Sequence, residues 1–284
     1  MKKLEFVAKE NCELKKFLQS VGLDFLCVQK LFRKKDIKVN GKRVSKNIQI
    51  ETGDKVECFV EDGKKDVFIE RLFEDDNIVV VDKPCGVETC GENSVESALS
   101  AFAVNRLDRN TSGVMIFAKN LTTKTGLEKV FKNSLVEKYY LCEVVGNSHF
   151  DGKICKAYLF KDAKKSRVIV SDNLKPNYVE ILTQFETVKV GDKSSLVLCK
   201  LLTGRTHQIR AHLAHLGYPV VGDNKYGSKA TNKTFGASTQ RLECVKLCFK
   251  DLKNEQCLTE EEKEKLKNIS GRSFEKSSKL WEIL

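Results

Sequence analysis

Six strand-forming runs follow one another through the middle of this chain: "GVMIFAK", "EKYYLCEVVG", "KICKAYLF", "SRVIVS", "YVEILTQFETV" and "SSLVLCKLLTG". Two more come before them, "VFIERLF" and the apolar "NIVVVDK", which stops at Lys83-Pro84 and a glycine-containing turn. A proline cannot donate to a sheet ladder, so a strand ends there. Helical spacing is confined to fewer windows, about Ser94 to Ala101, Thr122 to Lys132 and Thr206 to Leu216. Strands that outnumber helices in this succession predict an α+β fold, with a large mixed, mainly antiparallel sheet and flanking helices. The charged "TEEEKEKLKNIS" near the C-terminus reads as a solvated helix without a site.

The first sixty or so residues follow another plan. Leu14, Phe17, Leu18 and Val21 have helical spacing, with Asn11 as a candidate cap. A second helical run spans roughly Phe25 to Arg33. "IKVNGKRV" then alternates about Asn40-Gly41, a strong hairpin signal, and "GDKVECFV" supplies a closing strand. The polar "EDGKKD", Glu61 to Asp66, reads as a linker. The expected organisation is a small α/β domain over 1–62 and a larger domain over 63–284.

A length of 284 residues, 41% of them apolar, suffices for a packed core in such a pair. No window approaches the ~18 apolar residues of a membrane span. The N-terminal "MKKLEFVAKENCELKK" has no apolar secretory core. The eleven cysteines include no C-x-x-C pair, so they read as reduced thiols, many of them small core residues. A cytoplasmic monomer is expected.

Lysine and arginine number 50 against 39 acids, a net charge of +11. That excess attracts polyanions, nucleic acid first among them. In the first unit Arg33, Lys34, Lys35, Lys38, Lys42 and Arg43 crowd a helix end and the adjoining hairpin. Such a run can be a solvated face or a phosphate-contacting one. The stretch "LKKFL…VQKLFRKKDIKVNGKRV…IQIETGD" resembles the small RNA-binding domain of ribosomal small-subunit protein four and of many RNA-modifying enzymes. That resemblance implies a surface that docks on structured RNA.

Chemistry concentrates in two blocks. "VNRLDRNTSG" is a polar loop just before the strand "GVMIFAK", and loops held by a sheet often carry reactive groups. Its composition also suits an ordinary turn. The second block, "LLTGRTHQIRAHLAHLGYPVVGDNKYG", joins a strand end to a helix starting near Thr206. His207 and Arg210 lie one turn apart and can face one cleft. Tyr218, Asp223 and Tyr226 lie beyond that helix. His207, His212 and His215 lack the H-E-x-x-H arrangement and an acidic ligand between them, so no metal site is expected.

Together, "VVDKPCGV", "NRLDRNTSG", "EKYYLCEVVG" and "TGRTHQIRAHLAHLGYPVVGDNKYG" resemble the motifs of the RluA-type pseudouridine synthases, in the family's order. With the N-terminal module and "FGASTQRL", the chain is most similar to the branch acting on large-subunit ribosomal RNA. The resemblance implies a cofactor-free isomerase that converts uridine to pseudouridine, in 23S ribosomal RNA first and in tRNA as the alternative. A non-catalytic RNA-binding or ribosome-assembly factor on the same fold is the rival from another class. A metal-dependent RNA hydrolase would need a ligand cluster that the sequence lacks.

The resemblance also assigns roles. Asp108 is the catalytic carboxylate, and Arg210 the partner that favours its ionised form. Tyr140 is the active-site tyrosine, able to stack on uracil; it or a nearby water takes the carbon 5 proton. Tyr139 is the adjacent alternative, on the opposite strand face. Leu107 and Ile209 flank the base, and Arg106 fills the gap left by a flipped uridine. Lys138, Arg205 and His207 are further substrate or RNA contacts. Asn105 departs from the family, most of whose members carry histidine before "RLD"; the change bears on the local RNA contact and on substrate choice.

Overall fold

A computed structural model describes residues 2–21, 23, 25–60, 69–91 and 93–283. The expected linker and the 62/63 boundary fall in 61–68, outside the described residues. The elements are β1 Lys2–Val7, β2 Cys12–Glu13, α1 Leu14–Ser20, α2 Phe25–Lys34, β3 Ile37–Val39, β4 Lys42–Val44, β5 Gln49–Ile50, β6 Lys55–Val60, β7 Glu70–Glu74, β8 Ile78–Lys83 and α3 Val95–Leu99. They continue with β9 Phe102–Ala103, β10 Ser112–Ala118, α4 Leu121–Lys132, β11 Val136–Val145, β12 Asp151–Asp162, β13 Arg167–Ser171, β14 Val179–Val190, β15 Ser194–Leu201 and α5 Gln208–His215. Last come α6 Lys229–Thr234, β16 Leu242–Phe249, α7 Glu260–Leu266 and β17 Ser273–Glu275, then a 3₁₀ turn, Lys279–Glu282.

Two compact units result: Met1–Phe68 with Cys90–Ser100, and Ile69–Thr89 with Ala101–Leu284. In the first, a sheet of order β1-β6-β3-β4 packs with α1 and α2 around Leu14, Leu18, Val28, Ile37 and Val56. The hairpin sits where expected: Asn40 and Gly41 have φ of 49° and 80°, the two positive values that a tight turn of matching twist requires. Asn11 does not cap α1. Its side chain accepts a hydrogen bond from the Thr52 backbone N–H, because β2 intervenes and the helix begins only at Leu14.

The second unit is one sheet of order β13-β12-β14-β15-β11-β16-β10-β8-β7, with β9 and β17 as side branches. All its ladders are antiparallel except that between β10 and β16. The expected mixed, mainly antiparallel architecture is therefore found. Gly113 makes the parallel contact possible: a Cβ there would lie 2.2 Å from the Cys244 carbonyl oxygen. On one face α5 packs through Ala211 onto Ala157, Leu159, Val168 and Ile181.

The C-terminal helix α7 differs from expectation. Glu262 and Leu266 are buried, Glu262 accepts from Lys129 of α4 at 2.8 Å, and Gly126 leaves room for both. The helix has a solvated face and a packed one, and a charge-rich stretch hides the latter. Cys58, Cys142, Cys199 and Cys244 are core residues. Among the described residues no helix is long and apolar enough to cross a membrane.

Candidate active site

The loop before β10 is held from several sides. Lys83, fully buried at the end of β8, donates to the carbonyls of Pro84, Val87 and Arg109 at 3.0, 2.6 and 3.1 Å. Thr89 Oγ1 donates to the Leu107 carbonyl at 2.9 Å and Gly86 N–H to that of Arg109 at 2.8 Å. The Thr111 N–H closes a turn onto the Asp108 carbonyl at 3.0 Å. Gln240 donates to Thr111 Oγ1 at 2.6 Å. The "RLDRNT" stretch is a turn, as its composition suggests, and a fixed one.

Opposite it, α5 starts at Gln208 rather than near Thr206. The Gln208 side chain explains the delay, accepting from the Arg205 N–H at 3.0 Å and so keeping the preceding segment in a turn. His207 ends that turn in the left-handed region, with φ of 53°. The conformation swings its ring onto Tyr226, whose hydroxyl lies 2.8 Å from His207 Nδ1. That hydroxyl also accepts from the Val168 N–H. His207 Nε2 faces Asp108 Oδ2 at 3.7 Å, and burial lowers the ring's pKa from the ordinary value.

Arg210 joins the two blocks. Its Nη1 donates to Asp108 Oδ2 at 2.6 Å, while Nε and Nη2 grip both oxygens of Asp223 at 2.7 and 3.0 Å. Asp223 is fully buried and also accepts from the N–H groups of Lys225 and Tyr226. Burial works against the Arg210 charge, but the two carboxylates outweigh it and raise its pKa further. In return, the guanidinium and backbone donors outweigh burial at Asp223 and lower its pKa. Asp223 thus neutralises Arg210 and fixes its plane, with Nη1 aimed at Asp108.

Asp108 and its surroundings line a cleft of ≈ 660 Å³. Asp108, Tyr140, Arg210, Arg106, Leu107, Lys138, Arg205, His207 and Ile209 all border it, so every substrate-site residue read from the sequence meets there. Leu107, Ile209 and Tyr140 are buried walls, and Arg106 and Arg205 are exposed. Burial lowers the Lys138 pKa and raises that of Tyr140 well above the ordinary phenol value. Tyr139 faces the other side of the sheet, where it packs beside Leu141 and Leu196. Asn105 also lines the cleft, and its Oδ1 is buried without a hydrogen-bond partner. In the first unit Arg33, Lys34, Lys35, Lys42 and Arg43 are exposed, and Lys38 lies over the Phe59 ring.

The RNA pseudouridylate synthase family matches the chain over residues 77–215. A ribosomal large subunit pseudouridine synthase C of Vibrio cholerae is 30% identical over 253 residues, 78% of this chain and 79% of its own length. The chain belongs to the RNA pseudouridylate synthase family. An uncharacterized RNA pseudouridine synthase of Mycoplasma genitalium is also 30% identical, over 86% of both chains. In structure, human RNA pseudouridylate synthase domain containing 1 is similar with a TM-score of 0.59, over 66% of this chain and 81% of its own, at 24% identity. This synthase is therefore an isomerase that forms pseudouridine in RNA.

Two residues that back the cleft wall carry no role in the sequence reading. Asp223 and Tyr226 sit in the polar "GDNKYG" beyond the helix, with no role assigned there. Only the fold brings Asp223 beneath Arg210, and Tyr226 beside both His207 and Arg210, the guanidinium 5.3 Å from its ring centroid. Gly222 was the available signal: a Cβ there would lie 1.9 Å from the Thr239 carbonyl oxygen, so the glycine permits the close approach that seats Asp223.

Proposed function

We propose that this synthase isomerises uridine in large-subunit ribosomal RNA, with Asp108 as the reacting carboxylate. The observation that carries the reading is the Arg210–Asp108 pair on a cleft of nucleotide size, with Arg210 already neutralised by buried Asp223. Arg210 thereby holds the Asp108 carboxylate in place on the cleft wall through a charge-assisted hydrogen bond. The named activity of the Vibrio relatives and the basic surface of the first unit support ribosomal RNA as the substrate. Arg33, Lys34, Lys35, Lys38, Lys42 and Arg43 dock that unit on structured RNA through phosphates.

The reaction breaks the bond from ribose carbon 1 to uracil nitrogen 1 and rejoins the sugar to carbon 5. Nitrogen 1 gains a proton and carbon 5 loses one, so atoms and oxidation state balance. The Asp108 carboxylate opposes positive charge developing on the ribose and is a nucleophile for a transient adduct. Leu107 and Ile209 exclude water around it, which strengthens that electrostatic effect. Arg106, at the cleft mouth, takes the place of the flipped base, whose extrusion costs a few kcal/mol. Tyr140 stacks on uracil. Its phenol keeps its proton at neutral pH, so the carbon 5 proton leaves to water or to Asp108 instead.

Ribosomal RNA tritiated at uracil carbon 5 should release tritium on incubation with the protein. Asp108→Asn should lower the rate at least about a thousandfold while RNA binding persists. Release from tRNA alone would move the substrate, and full activity in Asp108→Asn would remove the carboxylate from the mechanism.

A further inference from the structure

The sheet face opposite α5 carries a second set of chemistry-bearing groups. Along β12, Ala157 and Leu159 are buried beneath α5, whereas Ile154, Lys156, Tyr158 and Phe160 point the other way. Phe160 stacks on Tyr178, with centroids 5.5 Å apart and planes 24° apart. Lys156 Nζ lies 5.6 Å from the Tyr158 ring centroid, and Lys175 Nζ 5.8 Å from that of Tyr178. Ile169, the cross-strand partner of Phe160, is 41% exposed, and Ile154 is 57% exposed. None of these residues borders the cleft.

Charge identifies what fits this face. Residues 153–178 hold six lysines and one arginine against two aspartates, Asp162 and Asp172. A protein-binding patch concentrates apolar area and depletes charge at its centre. Here lysines accompany the aromatic rings, the combination of stacking platforms and backbone-tracking cations found in single-stranded nucleic-acid sites. Glu180 pairs with Lys156 at 2.6 Å, so Lys175 and the Lys164-Lys165 turn supply most of the positive field. β13 is the last strand of the sheet, and Arg167 at its start lies over the Tyr226 ring that borders His207. Tyr226 and Arg167 thus run in contact from His207 at the cleft to the edge strand that carries Ile169.

We propose that Tyr158, Phe160 and Tyr178, with Lys156 and Lys175, form a second RNA-binding surface that stacks unpaired nucleotides flanking the target uridine. The inference rests on RNA being the substrate and adds a site outside the cleft. Irradiating the full chain with a bromouridine-substituted RNA that extends beyond the target stem-loop should cross-link Tyr158, Phe160 or Tyr178. Tyr158→Ala should raise KM for that long RNA about tenfold, the contribution of one stacked base, with kcat unchanged. Lys175→Glu should act in the same direction. Both variants should match the parent protein on the minimal stem-loop, where tritium release separately reports the reaction itself. Absence of cross-links to this face with unchanged KM on long RNA would overturn the proposal. So would dimerisation in solution that Tyr158→Ala abolishes, which would assign the face to a second copy of the chain.

Discussion

Arg210 in the cleft and Arg43 on the β3–β4 hairpin carry the same charge in opposite surroundings. Arg210 is 7% exposed and makes three bonds to two carboxylates. Arg43 stands exposed on the edge strand of the smaller sheet, opposite Lys38. The first is expensive to desolvate and therefore needs its partners in fixed geometry. The second keeps its hydration and acts through the number of such charges more than through their precise placement. Buried, paired charge should consequently be brittle and exposed charge additive.

The largest break in this contrast should come from Asp223. Asp223→Asn leaves a buried guanidinium with one carboxylate where it had two. Breaking a buried pair typically costs about 3–5 kcal/mol, and urea unfolding should show a loss of that order. Turnover should fall as well, because Arg210 would no longer be neutralised before it reaches Asp108. A loss below about 1 kcal/mol with full turnover would mean that the buried network is no more brittle than the surface.

A smaller effect should appear on acidification. His212 is 1% exposed, beside Thr183 and the Phe185 ring, and burial pushes its pKa down from 6.5 to about 4. The unfolded chain therefore binds a proton between pH 6.5 and 4 that the folded chain refuses. Stability is then complete above about pH 6.5 and declines by up to about 3 kcal/mol as pH falls to 4. His207, also lowered, adds to the decline in the same direction. His212→Gln should flatten the curve. All four histidines lie beyond residue 148, so hydrogen exchange in the first unit should lack this pH response. Equal acid sensitivity in both units would erase the distinction.

The same contrast explains what was legible beforehand. Periodicity marks local structure, so the hairpin at Asn40-Gly41 and the six central strands could be read directly. β16 lies between β11 and β10 at the centre of the sheet, yet "LECVKLCF" mixes cysteine and charge and gives no clean alternation. Asp108 and Arg210 are 102 positions apart, so no local pattern links them and only the long matched motifs did. Asp223 escaped because a Gly-Asp pair in a polar turn has a sufficient local explanation. The aromatic face escaped because "KAYLF" is apolar at successive positions, and only the sheet shows which of them α5 covers.

The smallest expected effect concerns the docking charge and tests additivity directly. Lys42→Ala with Arg43→Ala removes two exposed cations of the hairpin. If each contacts a phosphate, the slope of log binding constant against log salt should become shallower by about 1.8, close to 0.9 for each contact on a duplex. Affinity for long structured RNA should weaken severalfold at low salt, and the difference should shrink as salt rises. Stability should stay within about 0.5 kcal/mol, since neither side chain is buried. Tritium release from a minimal stem-loop should be unchanged, because the cleft keeps Asp108, Arg210 and Asp223 intact. Each single variant should give half the change in slope. A full loss of binding from one of them would mean that a specific contact, and not a sum of charges, holds the first unit on its RNA.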